Sequence, residues 1–174
     1  MRMNRVVTTA VLLTALEAFT SEHHDEIELK DLVARSNAIV IVEPATPATV
    51  KTEITIAPKG GSREKYPPYT RIRSRYVVKE VLHSRGAKLE AGKTIEVDAA
   101  DFDTRLTVHK RYYLEGLRKI PIYTYYSPQK EPAEGAVIVF LSGSSDGWEF
   151  AAAGATEHLD TRAAVEALLK TSAQ

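Results

Sequence analysis

Asp98, Asp101, Asp103 and His109 are the residues whose types and spacing come closest to a catalytic or metal-binding set. In an extended segment Asp101 and Asp103 project to the same side, and His109 can approach them across a turn. Carboxylate oxygens bind divalent cations, and a carboxylate beside an imidazole can orient a general base. The pattern predicts either the centre of a metal-dependent enzyme or a polar loop with a histidine at the start of the next strand.

A second group of potential metal ligands is His23, His24, Asp25 and Glu26. Neighbouring side chains of an extended segment point to opposite sides, and the His-Glu-x-x-His spacing of zinc enzymes is absent. Ordering a flexible segment around an ion would also cost conformational entropy. We therefore interpret these residues as a solvated linker and predict neither a metal nor a cofactor.

Ser145 lies in the segment from Gly143 to Gly147, which matches the Gly-x-Ser-x-Gly pattern of hydrolase nucleophiles. In those enzymes the serine stands on a sharp turn that leads from a strand into a helix. Here Trp148 and Phe150 alternate with other residues, which predicts a strand after the turn. We therefore interpret the segment as a hairpin loop and predict no catalytic residue.

Five of the eight tyrosines lie within fifteen residues. They are Tyr112, Tyr113, Tyr123, Tyr125 and Tyr126. Tyrosine combines a large apolar ring with a polar tip and is enriched at protein interfaces. If residues 111–128 form an exposed hairpin, these rings are the partner-binding surface. The alternative is that some rings cover the core and the others pack along its rim.

Three arginines alternate along one predicted strand face, beside Tyr69: Arg71, Arg73 and Arg75. A basic face with aromatic rings is typical of barrels that bind single-stranded nucleic acid. Glu53 or Glu96 on a neighbouring strand can instead pair with the arginines across the sheet. Lys plus Arg and Asp plus Glu number 23 each, so the net charge is zero. The balance favours ion pairs, and nucleic acid is not a predicted partner.

The N-terminal segment has the pattern of an export signal. Arg2 and Arg5 precede an apolar run from Val6 to Leu16, which is shorter than the roughly 20 residues of a membrane span. The pattern predicts a signal over residues 1–21 and a periplasmic or extracellular protein. The alternative is an ordinary first helix and a cytoplasmic protein. The chain has no cysteine, which excludes disulfides, thiolate metal ligands and a lipid-anchored cysteine.

Residues 22–174 have the length of one domain. We predict a helix over 27–35 and a C-terminal helix capped by Asp160. The alternation of the strand over 69–82 shifts at Lys79 and Glu80, which indicates either a bulge there or full burial at the strand's end. A long hairpin or an ordered insertion is expected over 100–134. The predicted fold class is mainly β, an antiparallel barrel with an N-terminal and a C-terminal helix. The strands are predicted over 38–42, 50–56, 69–82, 94–99, 136–141 and from Trp148 onward.

The order of these segments resembles bacterial exported OB-like barrels, which are related in architecture to netrin-like and metalloproteinase-inhibitor domains. The segments that carry the resemblance are 32–42, 69–70, 76–82, 92–97 and 137–141. Such inhibitors chelate zinc through an N-terminal cysteine and depend on disulfides, and this chain has no cysteine. The resemblance therefore implies an OB-like fold and not that inhibitory mechanism.

The functional prediction is a non-enzymatic exported barrel that binds a protein partner through its tyrosines. One alternative is an inhibitor or immunity-type protein that acts against a hydrolase. The other alternative is a metal-dependent enzyme that uses Asp101, Asp103 and His109.

Overall fold

The computed structural model describes residues 24–58, 60, 65–86, 88–116, 121–130, 135–144 and 147–172. The chain is mainly β, with a six-stranded sheet, a two-stranded sheet and a C-terminal helix. The strands are β1 (His24–Glu26), β2 (Ala38–Ile54), β3 (Tyr69–Ser84), β4 (Thr94–Asp98), β5 (Tyr123–Tyr125), β6 (Val137–Ser144), β7 (Gly147–Phe150) and β8 (Thr156–Glu157). The helices are α1 (Leu29–Arg35), α2 (Phe102–Glu115) and α3 (Arg162–Ser172).

Strand β2 joins the two strands that the sequence predicts over 38–42 and 50–56. Its register with β3 shifts between Pro44 and Thr49, where two prolines lack the N–H that a ladder needs. A further shift leaves Lys79 without a partner, because Ile41 pairs with Glu80 and Val42 with Val78. The predicted bulge near Lys79 and Glu80 is therefore confirmed.

The six-stranded sheet runs in the order β2, β3, β4, β7, β6, β8, and β2 also pairs with β6. The pairs β2–β3, β3–β4, β6–β7, β2–β6 and β6–β8 are antiparallel. The pair β4–β7 is parallel. Neighbouring pairs therefore lead from β2 through β3, β4, β7 and β6 back to β2.

Residues 38–42 of β2 and 137–141 of β6 are buried on both faces, because their alternating side chains enter two different apolar clusters. Ile39 and Phe140 lie in the cluster that contains residues of α1 and α3. Val40 and Val139 lie in the other cluster, with Val97 of β4. Burial of both faces explains why these two stretches of sequence are continuously apolar.

Of the two alternatives for 100–134, the long hairpin is wrong, because residues 102–115 form helix α2, which is an ordered insertion between β4 and β6. The helix follows Asp101, whose φ is 58°, and ends at Gly116, whose φ is 63°. A glycine in this left-handed conformation is a common helix end. Leu106 and Val108 are two residues apart, a spacing that is typical of one face of a strand and not of one face of a helix, which accounts for the error.

Two further elements differ from the sequence predictions. The segment that contains His24 to Glu26 is strand β1, which pairs in parallel with β5, and not wholly a linker. His158 caps the 3₁₀ turn that contains Asp160 and precedes α3, because its Nδ1 accepts a hydrogen bond from the Asp160 backbone N–H at 3.2 Å. A 3₁₀ turn, Leu159–Thr161, connects this cap to α3.

Candidate functional site

The three predicted arginines lie on the outer face of β3 and are paired with carboxylates of β4. Arg71 donates two hydrogen bonds to Asp98, at 2.8 and 2.5 Å, and this contact raises the pKa of its guanidinium. Arg73 lies 2.5 Å from Glu96, and Arg75 lies 3.7 Å from the same carboxylate. The predicted pairing with Glu96 is confirmed.

A ladder of aromatic rings joins the start of β3 to α2. The Tyr69 ring lies 6.1 Å from that of Phe102 and 5.2 Å from that of His109. His109 lies 5.0 Å from Tyr113. Tyr113 in turn contacts the rings of Tyr66 and Tyr112. We call the six rings that these contacts connect the aromatic surface: Tyr66, Tyr69, Phe102, His109, Tyr112 and Tyr113.

Helical spacing explains how the ladder is built. Phe102, His109 and Tyr113 are separated by seven and four residues and therefore lie on one side of α2. Tyr113 also lies 6.0 Å from Tyr66 and 5.0 Å from Tyr112, measured between ring centroids. His109 Nε2 lies 3.2 Å from the Pro67 carbonyl oxygen, which holds the helix against the segment that enters β3. The sequence shows this arrangement only if residues 102–115 are recognised as helical.

The first turns of α2 are attached to the sheet by polar contacts. The Phe102 backbone N–H donates to Glu149 Oε2 at 3.3 Å, where a carboxylate also complements the helix dipole. Arg105 Nε donates to the Ala100 carbonyl at 2.9 Å, and its guanidinium lies 4.2 Å from the centre of the Tyr123 ring. No residue of α2 is buried, so the helix adheres to the sheet without entering the core.

The five predicted partner-binding tyrosines do not share one surface, and the prediction is wrong for two of them. Tyr123 is 4% exposed beneath Arg105, and Tyr126 is 2% exposed within the core. Tyr112 is 61% exposed, Tyr113 is half-buried beside it, and Tyr125 is 37% exposed on β5. The rings of Tyr112 and Tyr113 remain available to a partner.

Tyr126 has a structural role, because its hydroxyl donates to the buried carboxylate of Glu157. The Gln129 backbone N–H and the Thr161 hydroxyl donate to the same carboxylate, at 2.7 and 2.9 Å. Burial, followed by the contact with Glu157, raises the pKa of Tyr126. This network fixes the segment after β5 to the 3₁₀ turn before α3.

The predicted set of Asp101, Asp103 and His109 is not a metal site. Asp101 precedes α2, Asp103 lies in its first turn, and His109 lies six residues further along, a rise of about 9 Å. Bonds from a divalent ion to oxygen are only about 2–2.6 Å long. In the described ranges no three His, Asp or Glu side chains are placed to hold a metal ion.

The structure describes some of the remaining candidate site residues and not others. His23 and Ser145 lie outside the described residues. Asp25 and Glu26 are exposed on β1. The predicted strand after the Gly143–Gly147 segment is confirmed as β7, so a nucleophile elbow that leads into a helix is not formed there.

Comparison with known proteins gives no relative: no family model, curated protein or solved structure matches the chain. Within the part of the chain that the structure describes, each helix is too short or too polar to cross a bilayer.

Proposed function

We propose that this chain is a non-enzymatic binding module for a protein partner, and that the aromatic surface of α2 and β3 is its contact site. The observation that carries the proposal is the exposure of α2. None of its fourteen residues is buried, and Tyr112, the most exposed tyrosine of the described residues, stands on it. A helix of this length is marginal when it is isolated in water, and tyrosine is enriched at protein interfaces.

The ring chemistry of this surface suits protein recognition. Tyr112 and Tyr113 offer apolar area and hydroxyl groups with only two side-chain torsions each, so little conformational entropy is lost when they bind. Tyr113, His109 and Tyr69 support one another through ring contacts of 5.0 and 5.2 Å. The half-buried rings hold the exposed ring in place, an arrangement that favours binding without reorganisation.

The charges around Tyr112 on α2 are of both signs. Lys110 and Arg111 precede Tyr112 and Glu115 follows it by three residues, and all three side chains are exposed. Residues three apart are neighbours on a helix surface, whereas residues one or two apart do not face each other, so Glu115 is the charge next to the Tyr112 ring. We propose a partner that presents an apolar pocket for Tyr112 with a polar rim that can pair with charges of both signs.

We also propose that the sheet is an OB-like barrel, as the sequence resemblance implies. The support is the ring of pairings among β2, β3, β4, β7 and β6, with α2 inserted between β4 and β6. An OB-fold is a five-stranded, partly open barrel. Two pairings close this ring, β2 with β6 and β4 with β7. Nuclear Overhauser contacts between the backbones of Val40 and Val139 would establish the first pairing, and contacts between those of Val97 and Trp148 would establish the second. Absence of the first contact would leave an open sheet.

Export remains a proposal that rests on the N-terminal pattern of Arg2, Arg5 and the apolar run. Mass spectrometry of the protein from its own cells is expected to find the N-terminus near residue 22. A chain that retains residues 1–21 in the cytoplasm would contradict the proposal.

The binding proposal is tested with the double substitution Tyr112→Ser and Tyr113→Ser. The wild-type chain is first used to capture a protein from a lysate of the cells whose genome encodes the chain. The captured protein is then identified, purified and titrated directly against the wild type and the double variant. Interface tyrosines commonly contribute more than 1 kcal/mol each, so we expect the dissociation constant to rise at least tenfold. Because Tyr112 is exposed and Tyr113 is only half-buried, the double substitution should lower the free energy of unfolding by roughly 1 kcal/mol and leave the protein folded.

Leu159→Ser is the matched control, because Leu159 is also an exposed large apolar residue but precedes α3. It should leave the affinity unchanged. Equal affinities of the wild type and the double variant, with both folded, would overturn the proposal. So would the failure of any captured protein to bind the purified chain directly.

A further inference from the structure

The second half of β2 is an open sheet edge. Residues 49–54 pair with β3 on one side, whereas β6 covers β2 only from Ala38 to Val42 on the other side. In the described part of the chain no backbone group pairs with 49–54 on this second side. An edge of this kind presents alternating N–H and C=O groups that another strand can pair with.

The sequence of this edge is complementary to itself in an antiparallel pairing. If Thr52 lies opposite Thr52 of a second copy, Lys51 faces Glu53 and Val50 faces Ile54 on both sides of the centre. Lys51 and Glu53 are exposed and form no ion pair with a described residue. Opposite charges directly across a ladder stabilise the pair, and like charges destabilise it.

The surroundings of the edge favour association at this place. Ile72, the β3 neighbour of Lys51 in the register, is 47% exposed and is one of the large apolar residues that the fold leaves at the surface. Pro44 and Pro47 lie before the free stretch and cannot donate to a ladder, so they limit any pairing to the residues after them. The open stretch is therefore short and has one register in which charge and size agree.

We propose that a second copy of this chain pairs with β2 antiparallel, centred on Thr52, so that one sheet continues through both copies. The contact is isologous, with a two-fold axis at Thr52. Since this axis is perpendicular to the sheet, Tyr69 of both copies faces the same side. The contact is short, and we expect a weak dimer with a dissociation constant of roughly 0.1–1 mM.

Charge reversal tests the register with the full chain in sedimentation equilibrium. Lys51→Glu places two pairs of carboxylates opposite each other, and Glu53→Lys places two pairs of ammonium groups opposite each other. Each variant alone should dimerise at least tenfold more weakly than the wild type. An equimolar mixture of the two should regain association, because every contact then joins opposite charges.

A cysteine cross-link tests the centre of the pairing independently, since the chain has no cysteine of its own. Thr52→Cys should form a disulfide-linked dimer under mild oxidation much faster than Ala163→Cys, an exposed control on α3.

Three results would overturn the proposal: a wild type that stays monomeric at millimolar concentration, a dimer that ignores both single reversals, or equal cross-linking of the two cysteine variants. None of these measurements involves Tyr112 or Tyr113, so failure here leaves the proposed partner site untouched, and failure there leaves the dimer untouched.

Discussion

The centre of the sheet and helix α2 differ in how much of their surface they bury. In β2 and β6, Ile39 and Phe140 are buried on one face and Val40 and Val139 on the other. In α2 every residue keeps some contact with solvent, although six aromatic rings meet there and at the start of β3. Apolar burial is the main stabilising contribution in folding, so the two regions should respond very differently to the loss of a ring.

This difference separates the residues that maintain the fold from those that are free to bind. Tyr126 is buried and fixed by Glu157, whereas Tyr112 projects from a helix that has no buried residue. Identical side chains within one stretch of sequence therefore have different roles. The role follows from the element that carries the ring, because that element decides which face is covered.

The largest expected effect compares one phenylalanine from each region. Phe140→Ala should lower the free energy of unfolding by about 3–5 kcal/mol, since it leaves a cavity between the sheet and the helices α1 and α3. Phe102→Ala should lower it by roughly 1 kcal/mol, because this ring is only half-buried. Urea denaturation followed by circular dichroism measures both. Equal losses would show that α2 belongs to the core after all.

The sequence predicts the sheet better than it predicts α2, and burial is the reason. Residues 38–42 of β2 and 137–141 of β6 are apolar on both faces, the predicted strand over 94–99 is β4, and the irregular alternation near Lys79 locates a bulge. Helix α2 has no buried stripe, so its sequence lacks the apolar period of a core helix. The alternation of Leu106 with Val108 then favours a strand by default.

The aromatic surface could be predicted only in part. Tyr112 and Tyr113 can be identified from their residue type, which is a property of the sequence. Their separation from Tyr123 and Tyr126 depends on β5, which pairs with β1. The His-Asp-Glu sequence of β1 has no apolar residue, and so gives no sign of a strand. Contacts between distant segments, such as Tyr66 with Tyr113, are likewise invisible to local patterns.

A second, smaller effect sharpens the comparison at the polar network within the buried region. Glu157→Ala removes the acceptor of the Tyr126 hydroxyl, the Gln129 N–H and the Thr161 hydroxyl together. Buried donors without an acceptor cost about 1–3 kcal/mol each before relaxation, so we expect a loss of roughly 3 kcal/mol in chemical denaturation. Glu157→Gln keeps an acceptor oxygen and should lose less. A loss no greater than that of Glu115→Ala, on exposed α2, would contradict this role.

The smallest expected effect concerns a partly buried histidine at the end of β3. Burial, and then the charge of Arg85, lowers the pKa of His83 below its ordinary value of 6.5. Arg85 Nε also donates to His83 Nε2 at 3.2 Å, which requires a neutral ring at that atom. The unfolded chain therefore takes up a proton at higher pH than the folded chain, and stability falls as the pH decreases through 6.5 toward the lower folded pKa.

His83→Gln should reduce the difference between urea midpoints measured at about pH 7.5 and about pH 5, because glutamine does not titrate. Arg85→Gln removes the charge of Arg85, the smaller of the two causes of the lowered pKa, and leaves the burial of His83 in place. The difference between its two urea midpoints should therefore lie between those of the wild type and His83→Gln. An unchanged difference in both variants would mean that other groups cause the acid sensitivity. His83 lies near the end of β3, which pairs with β2. A measurable effect would show that even a partly covered side chain at the margin of the sheet contributes to the stability of the fold, in contrast to the exposed residues of α2.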